Sequence, residues 1–476
     1  MIDEGFAPDA GRSVVKEVQS IVARSQSRAS HRSIRNLRTL LWSSIDDVKT
    51  QDIDQVEYVE QLDGGDIRLL IAIADVDAFV QRDSAIDRHA RLNSTSVYTG
   101  VKTFPMLPEE LSNDLTSLVP GKDRLAVVTE LIVGANGASK ESKVYRAVIR
   151  NHAKLSYTAV GAWLEGKGPV PSALKRKAKL KAQIRLQFET AKRLASLRRE
   201  AGAVELGMIQ TTPVIKRGRV TELVVIEPNA ARELISNFMI ATNVAVAQFL
   251  EAKGGPTLRR VVRSPEQWDR IVRIAAELDG KLPAKPDSRA LADFLERRKK
   301  VAPLHFPDLS LAVVKALGPG EYAVQMPGEE DEGHFGLAVT DYTHSTAPNR
   351  RYADLINQRL IKAALKDGSR PYSANELKLI AEHCTEREDA ARKVERKLRK
   401  VAAAVLLRDR IGEEFEAIVT GVMGKGTFAR TIKPPVDGRI VQRARGLGVG
   451  DKVVVRLVGV EPERGFIDFV RTGRGW

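Results

Sequence analysis

The sequence predicts an α/β domain with a sheet core and surrounding helices, followed by a small all-β barrel. Three observations point there. Residues 66–80 (DIRLLIAIADVDAFV) and 125–133 (LAVVTELIV) are continuous apolar, β-branched runs of the kind that fill buried strands. Stretches with helical spacing of apolar residues, one of them capped by Asn229, lie after them. From about Ile411 the pattern changes to short Val/Ile-rich runs (FEAIVTGV, DGRIV, DKVVVRLVGV, GFIDFV) broken by Gly and Pro, the mark of a small barrel.

Taken in order, residues 1–38 form a short basic segment expected to be largely helical. Between residues 11 and 40, Arg12, Lys16, Arg24, Arg28, Arg32, Arg35 and Arg38 face one acid, Glu17, among many serines. Transit peptides share that composition, but Asp3, Glu4 and Asp9 argue against one, and a basic helix or arm near nucleic acid is the reading taken. Residues 39–408 form the main domain. Within it, residues 172–200 are helical and basic, either a solvated helix face or a surface that tracks a phosphate backbone. Asn229 caps a core helix through Leu234, Ile235, Phe238, Met239, Val246, Phe249 and Leu250, stopped by Gly254-Gly255. A second helix follows Pro348, with Tyr352, Leu355, Ile356, Leu360 and Ile361 on one stripe and Arg350, Arg351 and Asp354 in its first turn. Residues 374–408 read as one long charged helix, and 411–473 as the barrel.

Composition narrows the function. A chain of 476 residues exceeds one ordinary core. The hydrophobic share of 43% and charged share of 29% suit a water-soluble globular protein, and no apolar run approaches the roughly 20 residues that span a bilayer. A cytoplasmic location without a membrane is therefore expected. The 76 Lys and Arg against 61 Asp and Glu give +15, which favours a polyanionic partner or a merely solubilising surface. Cys384 is the sole cysteine, so an internal disulfide and a cysteine-only zinc site are excluded.

The stretch SSIDDVKTQDIDQ, residues 43–55, is the most suggestive chemically. If Asp52-Ile53-Asp54 is extended, its two carboxylates project to one side; Asp46 needs a turn to join them. Hard cations such as Mg²⁺ bind a few carboxylates plus waters and phosphate oxygens, and phosphodiester hydrolysis suits that equipment. Alternatively, the aspartates are turn formers and helix caps.

The order of further motifs then becomes informative. After Asn36-Leu37-Arg38 and SSIDDVKTQDIDQ come IADVDAFV, DRHARLNSTSVY, FPMLPEELSNDLTSLVPGKDRLAVV, VIRNHAKLSYTAV, ELISNFMIATNVAVAQFL, GHFGLAV and YTHSTAPNRRYADLINQRL. This succession, from about residue 36 to 472, resembles the ribonuclease II and ribonuclease R family, in a short form lacking paired N-terminal OB domains. The segment 411–473 is similar to the OB-fold RNA-binding module that usually closes such chains. The resemblance implies an α/β catalytic domain of ribonuclease II type, with a mixed sheet, acting as a metal-dependent 3′-to-5′ exoribonuclease on single-stranded RNA. It implies Mg²⁺ as cofactor, with Mn²⁺ as a substitute, and no obligate protein partner. By position, Asp46, Asp52 and Asp54 match the family's metal carboxylates, and Asp54 is the one on which catalysis depends most. Arg350 would lie on the scissile phosphate, with Arg351 beside it or paired with Asp354. Tyr98 and Tyr157 match tyrosines of the substrate channel; read alone, they are core aromatics as readily as nucleotide-stacking ones.

Four departures stand out. Gln55 occupies the place of a fourth carboxylate, with Asp47 able to compensate only by turning inward. Ser236-Asn237 stand where paired glutamates are usual. Ala347 and Asn349 flank Pro348 in place of Ser and Ile. About 40 residues precede the catalytic region, and the Arg-rich segment and the barrel are expected to build the RNA entrance between them. Two other functions compete: an RNA-binding protein that kept the fold with weakened chemistry, and a DNA-directed metal nuclease of another fold.

Overall fold

The computed structural model describes residues 1–25, 34–330, 332–366, 368–424 and 426–475. Helix α1 (Arg12–Ser25) opens the chain. Strands β1 (Arg35–Asn36), β2 (Trp42–Asp46), β3 (Gln55–Gln61) and β4 (Ile67–Ala74) follow, with helix α2 (Ala85–Asn93) after them. A short pair, β5 (Val97–Tyr98) and β6 (Thr103–Phe104), precedes β7 (Asp123–Val133) and β8 (Ser139–Ser156). The main sheet has the order β1-β8-β2-β3-β4-β7. Its 18-residue β8 runs antiparallel to β7 from Ser139 to Arg150 and parallel to β2 from Asn151 to Ser156. The ladder β2-β3-β4-β7 therefore returns to β8 at both ends, and the sheet is mixed.

Continuous apolar runs are required because both faces are covered. Successive residues of β4 enter different cores. Leu70 and Ala72 pack with Val14 and Val18 of α1 and Ile86 and Ala90 of α2. Leu69, Ile71 and Ile73 meet the helices on the other side: α3 (Tyr157–Leu164), α4 (Ala178–Glu200) and α5 (Ala230–Glu251). The Asn229 side chain caps α5 by accepting from the Ala231 and Arg232 amides. By length and composition α5 is apolar enough to cross a bilayer, with a mean hydropathy of 1.2, although 61% of that window is buried in the protein.

Beyond α4 come the hairpin β9 (Thr211–Lys216) and β10 (Arg219–Val225), and then β11 (Thr257–Val261), which pairs with β12 (Glu321–Gln325). Between β11 and β12, α6 (Trp268–Ala276), α7 (Ser288–Val301) and α8 (Phe306–Leu317) build a satellite core around Trp268, Leu291 and Phe294. Helices α9 (Tyr352–Lys366) and α10 (Ala374–Leu407) return to the sheet, and α10 begins with a capping box between Ser373 and Glu376.

The C-terminal strands β13 (Glu414–Met423), β14 (Gly426–Thr431), β15 (Asp437–Gln442), β16 (Lys452–Glu461) and β17 (Phe466–Arg474) close a barrel in the order β13-β14-β15-β17-β16. A two-pronged ion pair fastens it to α8: the Arg430 guanidinium donates to both Asp308 carboxylate oxygens at 2.8 and 3.1 Å.

One expectation gains detail and one changes. Over its described length the N-terminal basic segment is helical from Arg12 to Ser25, as expected, and it is packed onto the main domain. The apolar side of α1 is in the main core, the Arg35 guanidinium lies 3.8 Å from the Tyr145 ring centre, and Arg38 pairs with Asp123 at 2.9 Å. Arg28 and Arg32 fall outside the described residues. Arg350 and Arg351 precede α9 and do not sit in its first turn, because Pro348 starts a turn and the helix begins only at Tyr352.

Candidate active site

Four stretches far apart in sequence meet at the end of β2 and the start of β3. Asp46 is the last residue of β2, and a turn closed by the Thr50 amide on the Asp47 carbonyl (3.0 Å) carries the chain back. Residues 51–54 are irregular, since β3 starts at Gln55, so strand alternation does not set the directions of Asp52 and Asp54. Tertiary bonds hold the segment instead. The Ile53 amide donates to Ser117 Oγ at 2.9 Å, Ser117 Oγ donates to the Gln51 carbonyl at 2.6 Å, and the Ala74 amide donates to the Asp54 carbonyl at 2.9 Å. Lys154, near the end of β8, donates through Nζ to the Val48 carbonyl at 3.1 Å and also to the Thr50 carbonyl.

Asp54 is only 3% exposed, accepts from the Asn349 amide at 3.2 Å and faces the Arg350 guanidinium at 3.4 Å. Burial pushes its carboxyl up to about 7 against the pull of Arg350. Asp46, 9% exposed, is likewise raised by burial to about 7, opposed by its bond from Gln55 Nε2 (3.5 Å) and by Lys154. Asp52 is raised by burial, with Arg350 and the Tyr98 hydroxyl (3.5 Å) acting in the other direction. Arg350 thus draws on both Asp52 and Asp54, while its own side chain is 44% exposed and open to a ligand.

The chain bearing Arg350 is fixed from two directions. Its carbonyl accepts from the Ser96 amide at 3.0 Å, and the Tyr352 amide donates to the Ser94 carbonyl at 2.8 Å, so residues 94–98 run alongside it and bring Tyr98 to the site. On the inner side Arg351 pairs with the fully buried Asp354 at 2.7 Å, and Asp354 also accepts from the Ala347 amide at 2.8 Å. The structure therefore commits Arg351 to holding this turn. Asn349 adds a bond from Thr116 Oγ1 to its side-chain oxygen at 2.5 Å.

Tyr98 is 41% exposed as a residue, with its hydroxyl turned to Asp52, and is not a core aromatic. Tyr157 is half-buried at the start of α3, with the Arg232 guanidinium 4.4 Å over its ring. Asp47 points away from the cluster and pairs with Arg232 at 2.7 Å, so it does not turn inward to stand in for Gln55. Asn237, where the resemblance leads one to look for glutamate, accepts from Arg198 of α4.

Unpartnered buried oxygens allow a fit test for a cation. Asp46 Oδ2 has no hydrogen-bond partner, nor do both carboxylate oxygens of the fully buried Glu57. Burial and the Asp46 charge raise Glu57 well above its ordinary value. Hard divalent ions seek such oxygen-only, carboxylate-rich surroundings. Among the described residues no three acidic, His or Cys side chains already stand at ligating distance of one point. The chemistry of the donor set, oxygen only and rich in carboxylate, suits the ion.

Sequence reasoning missed Lys154, the Asn349 amide and Glu57. Only Lys154 left a signal: a lone cation in the half-buried run NHAKLS beside the acidic turn.

A mixed sheet carrying buried aspartates under an arginine-bearing turn, with a barrel behind it, defines a class. Residues 34–367 match the RNB domain, and residues 413–472 match the C-terminal S1 domain of RNase II-type exonucleases; the chain belongs to this family. Among curated relatives it is similar to ribonuclease R of Escherichia coli, 32% identical over 91% of this chain and 57% of that protein. Ribonuclease R of Aquifex aeolicus is 30% identical over 96% of this chain and 67% of that protein. The chain thus spans little more than half the length of the first of these. The fold is shared with Mycoplasma genitalium RNase R in complex with ribose methylated single-stranded RNA, at a TM-score of 0.88, 24% identity, and coverage of 99% of this chain and 77% of that one.

Proposed function

We propose that this chain hydrolyses single-stranded RNA from its 3′ end, releasing nucleoside 5′-monophosphates, with Mg²⁺ as cofactor and Mn²⁺ as a substitute. The observation that carries the reading is the grouping of buried Asp46 and Asp54 and half-buried Asp52, with Asp46 Oδ2 unpartnered, beside the half-exposed Arg350 within an RNB-domain chain. Asp46, Asp52 and Asp54 would hold the divalent ion. When bound, it supplies polarisation of the phosphoryl group and a more acidic attacking water.

The remaining work belongs to the protein's own groups. Arg350 has its guanidinium preset toward Asp52 and Asp54, where it meets a scissile phosphate and the charge that develops on it. The Asn349 amide and the Arg351–Asp354 pair keep the turn in register with Asp54. The partly exposed Tyr98 and the Tyr157 ring under Arg232 suit stacking with bases, which tolerates any sequence. A net charge of +15 draws the polyanion in.

A second reading, an RNA-binding protein with weakened chemistry, is favoured by Gln55 and by Ser236-Asn237. One experiment separates the two: 5′-labelled single-stranded RNA incubated with Mg²⁺ and either the wild type or Asp54→Asn. A ladder shortening from the 3′ end in the wild type alone, with RNA still bound by the variant, is the expected result. Binding without shortening by both proteins would leave only the second reading.

A further inference from the structure

Gln55 leaves the acidic site one charge short of the family pattern, and the structure offers a carboxylate that the mechanism has not used. Glu57 lies two residues further along β3, so its side chain leaves the strand on the same face as that of Gln55. Their partners on β4 are Ile71 and Ile73, both members of the core beneath α4 and α5. The Gln55 amide reaches Asp46 Oδ1 at 3.5 Å, which puts Asp46 at the mouth of that face.

Glu57 is 0% exposed, and neither of its carboxylate oxygens has a hydrogen-bond partner. Ser43, its partner across β2, has a buried Oγ in the same condition. So does Gln187 of α4: its amide nitrogen donates to the Glu57 carbonyl at 3.4 Å, while its own side-chain oxygen stays unpartnered. Asp46 Oδ2 completes the group. Every unpartnered atom named here is an oxygen. A buried, unpaired carboxylate costs several kcal/mol, so without a cation Glu57 keeps its proton, and a divalent ion beside it would take that proton's place.

We infer that Glu57 is the fourth carboxylate of the divalent-cation site, supplying from one strand period deeper the negative charge that Gln55 does not. This rests on the metal reading of Asp46, Asp52 and Asp54. Its position behind Asp46 assigns it to the Asp46 side of the site, where it acts on the ion directly or across one water. The acidic set is thus relocated along β3 and not merely reduced.

The test is Mn²⁺ binding to the full chain without RNA, by calorimetry or electron paramagnetic resonance, together with the melting temperature with and without the ion. Four proteins are compared: wild type, Asp54→Asn, Glu57→Gln and Glu57→Gln/Gln55→Asp. Glu57→Gln keeps the shape, and it is expected to weaken Mn²⁺ binding by about 10- to 100-fold. Its melting temperature without metal should equal or exceed that of the wild type, because an unpartnered acid has become a neutral amide. Restoring the charge at the neighbouring position with Gln55→Asp should recover most of the lost affinity.

Mn²⁺ affinity of Glu57→Gln within about twofold of the wild type would overturn the inference and leave Glu57 a neutral acid satisfied by trapped water. So would a loss that Gln55→Asp does not repair. Failure of the wild type to bind Mn²⁺, or binding untouched by Asp54→Asn, overturns the metal reading and this inference together.

Discussion

Asp354 is where the stability of the turn and the geometry of the chemistry are tied most tightly. Its carboxylate has no exposed surface, meets Arg351 Nη2 at 2.7 Å and accepts from the Ala347 amide at 2.8 Å. Taking one partner from a buried ion pair leaves the other charge stranded, at a cost of roughly 3 to 5 kcal/mol. Asp354→Asn keeps an oxygen for the Ala347 amide, so the lower end, about 3 kcal/mol, is expected. In an Arg351→Met/Asp354→Leu double variant no charge is stranded and only the Ala347 bond is lost, about 1 to 3 kcal/mol. The double variant should therefore be far more stable than the sum of the two single changes allows. Urea unfolding followed by tryptophan fluorescence measures this. RNA turnover at a temperature where all variants are folded should fall as well, because Asn349 and Arg350 stand on the same turn. Single changes that cost under about 1 kcal/mol, or costs that simply add, would refute the claim that this pair fixes the turn.

Other outcomes follow from the same geometry. Arg350→Ala should slow the chemical step by about 2 to 4 kcal/mol in single-turnover kinetics, with a smaller change in RNA affinity. Tyr98→Phe removes only the hydroxyl facing Asp52, whereas Tyr98→Ala removes the ring too, so RNA affinity should fall with Ala by about 1 to 3 kcal/mol and little with Phe. His334 is held down to about 4 by burial, with Arg260 adding to it. Between pH 6.5 and 4 the unfolded chain therefore takes up a proton that the folded one refuses, and stability should drop by about 3 kcal/mol across that window as pH falls. His334→Gln should flatten that part of a urea-midpoint profile.

What could be read from the sequence follows from locality. The apolar runs of β4 and β7 announce strands covered on both sides, and the Asn229 cap lies next to the helix it starts. The barrel was legible because each of its strands is short and punctuated by turn residues. The site was legible as a set of residues through the succession of motifs, but not as an arrangement. Nothing near Asp47 in the sequence says that it will meet Arg232, and nothing near Asp54 says that Arg350 will face it. Glu57 shows the limit best: nothing beside it in QVEYVEQ says that the packing of α4 will bury its side chain. The helix of the basic N-terminal segment was legible but its packing was not, since the valines of α1 and the Asp123 opposite Arg38 give it partners that composition cannot reveal.

Helix α10 has a consequence for the molecule as a mechanical object. Its 34 residues run about 51 Å as one rod. Leu377, Ile380 and Cys384 at one end are rooted in the sheet core, Ala391 and Val394 hold the N-terminal Phe6, and Ala403, Ala404 and Leu407 enter the barrel core. Three hydrophobic cores are strung on a single strut, so loosening one strains the next, and catalytic body and barrel should melt in concert. The same rod is a lever: a tilt of about 5° at its root carries its far end roughly 4 Å. The Arg430–Asp308 clasp and the core that α10 and Leu223 of β10 share with the barrel strands stand together against that swing.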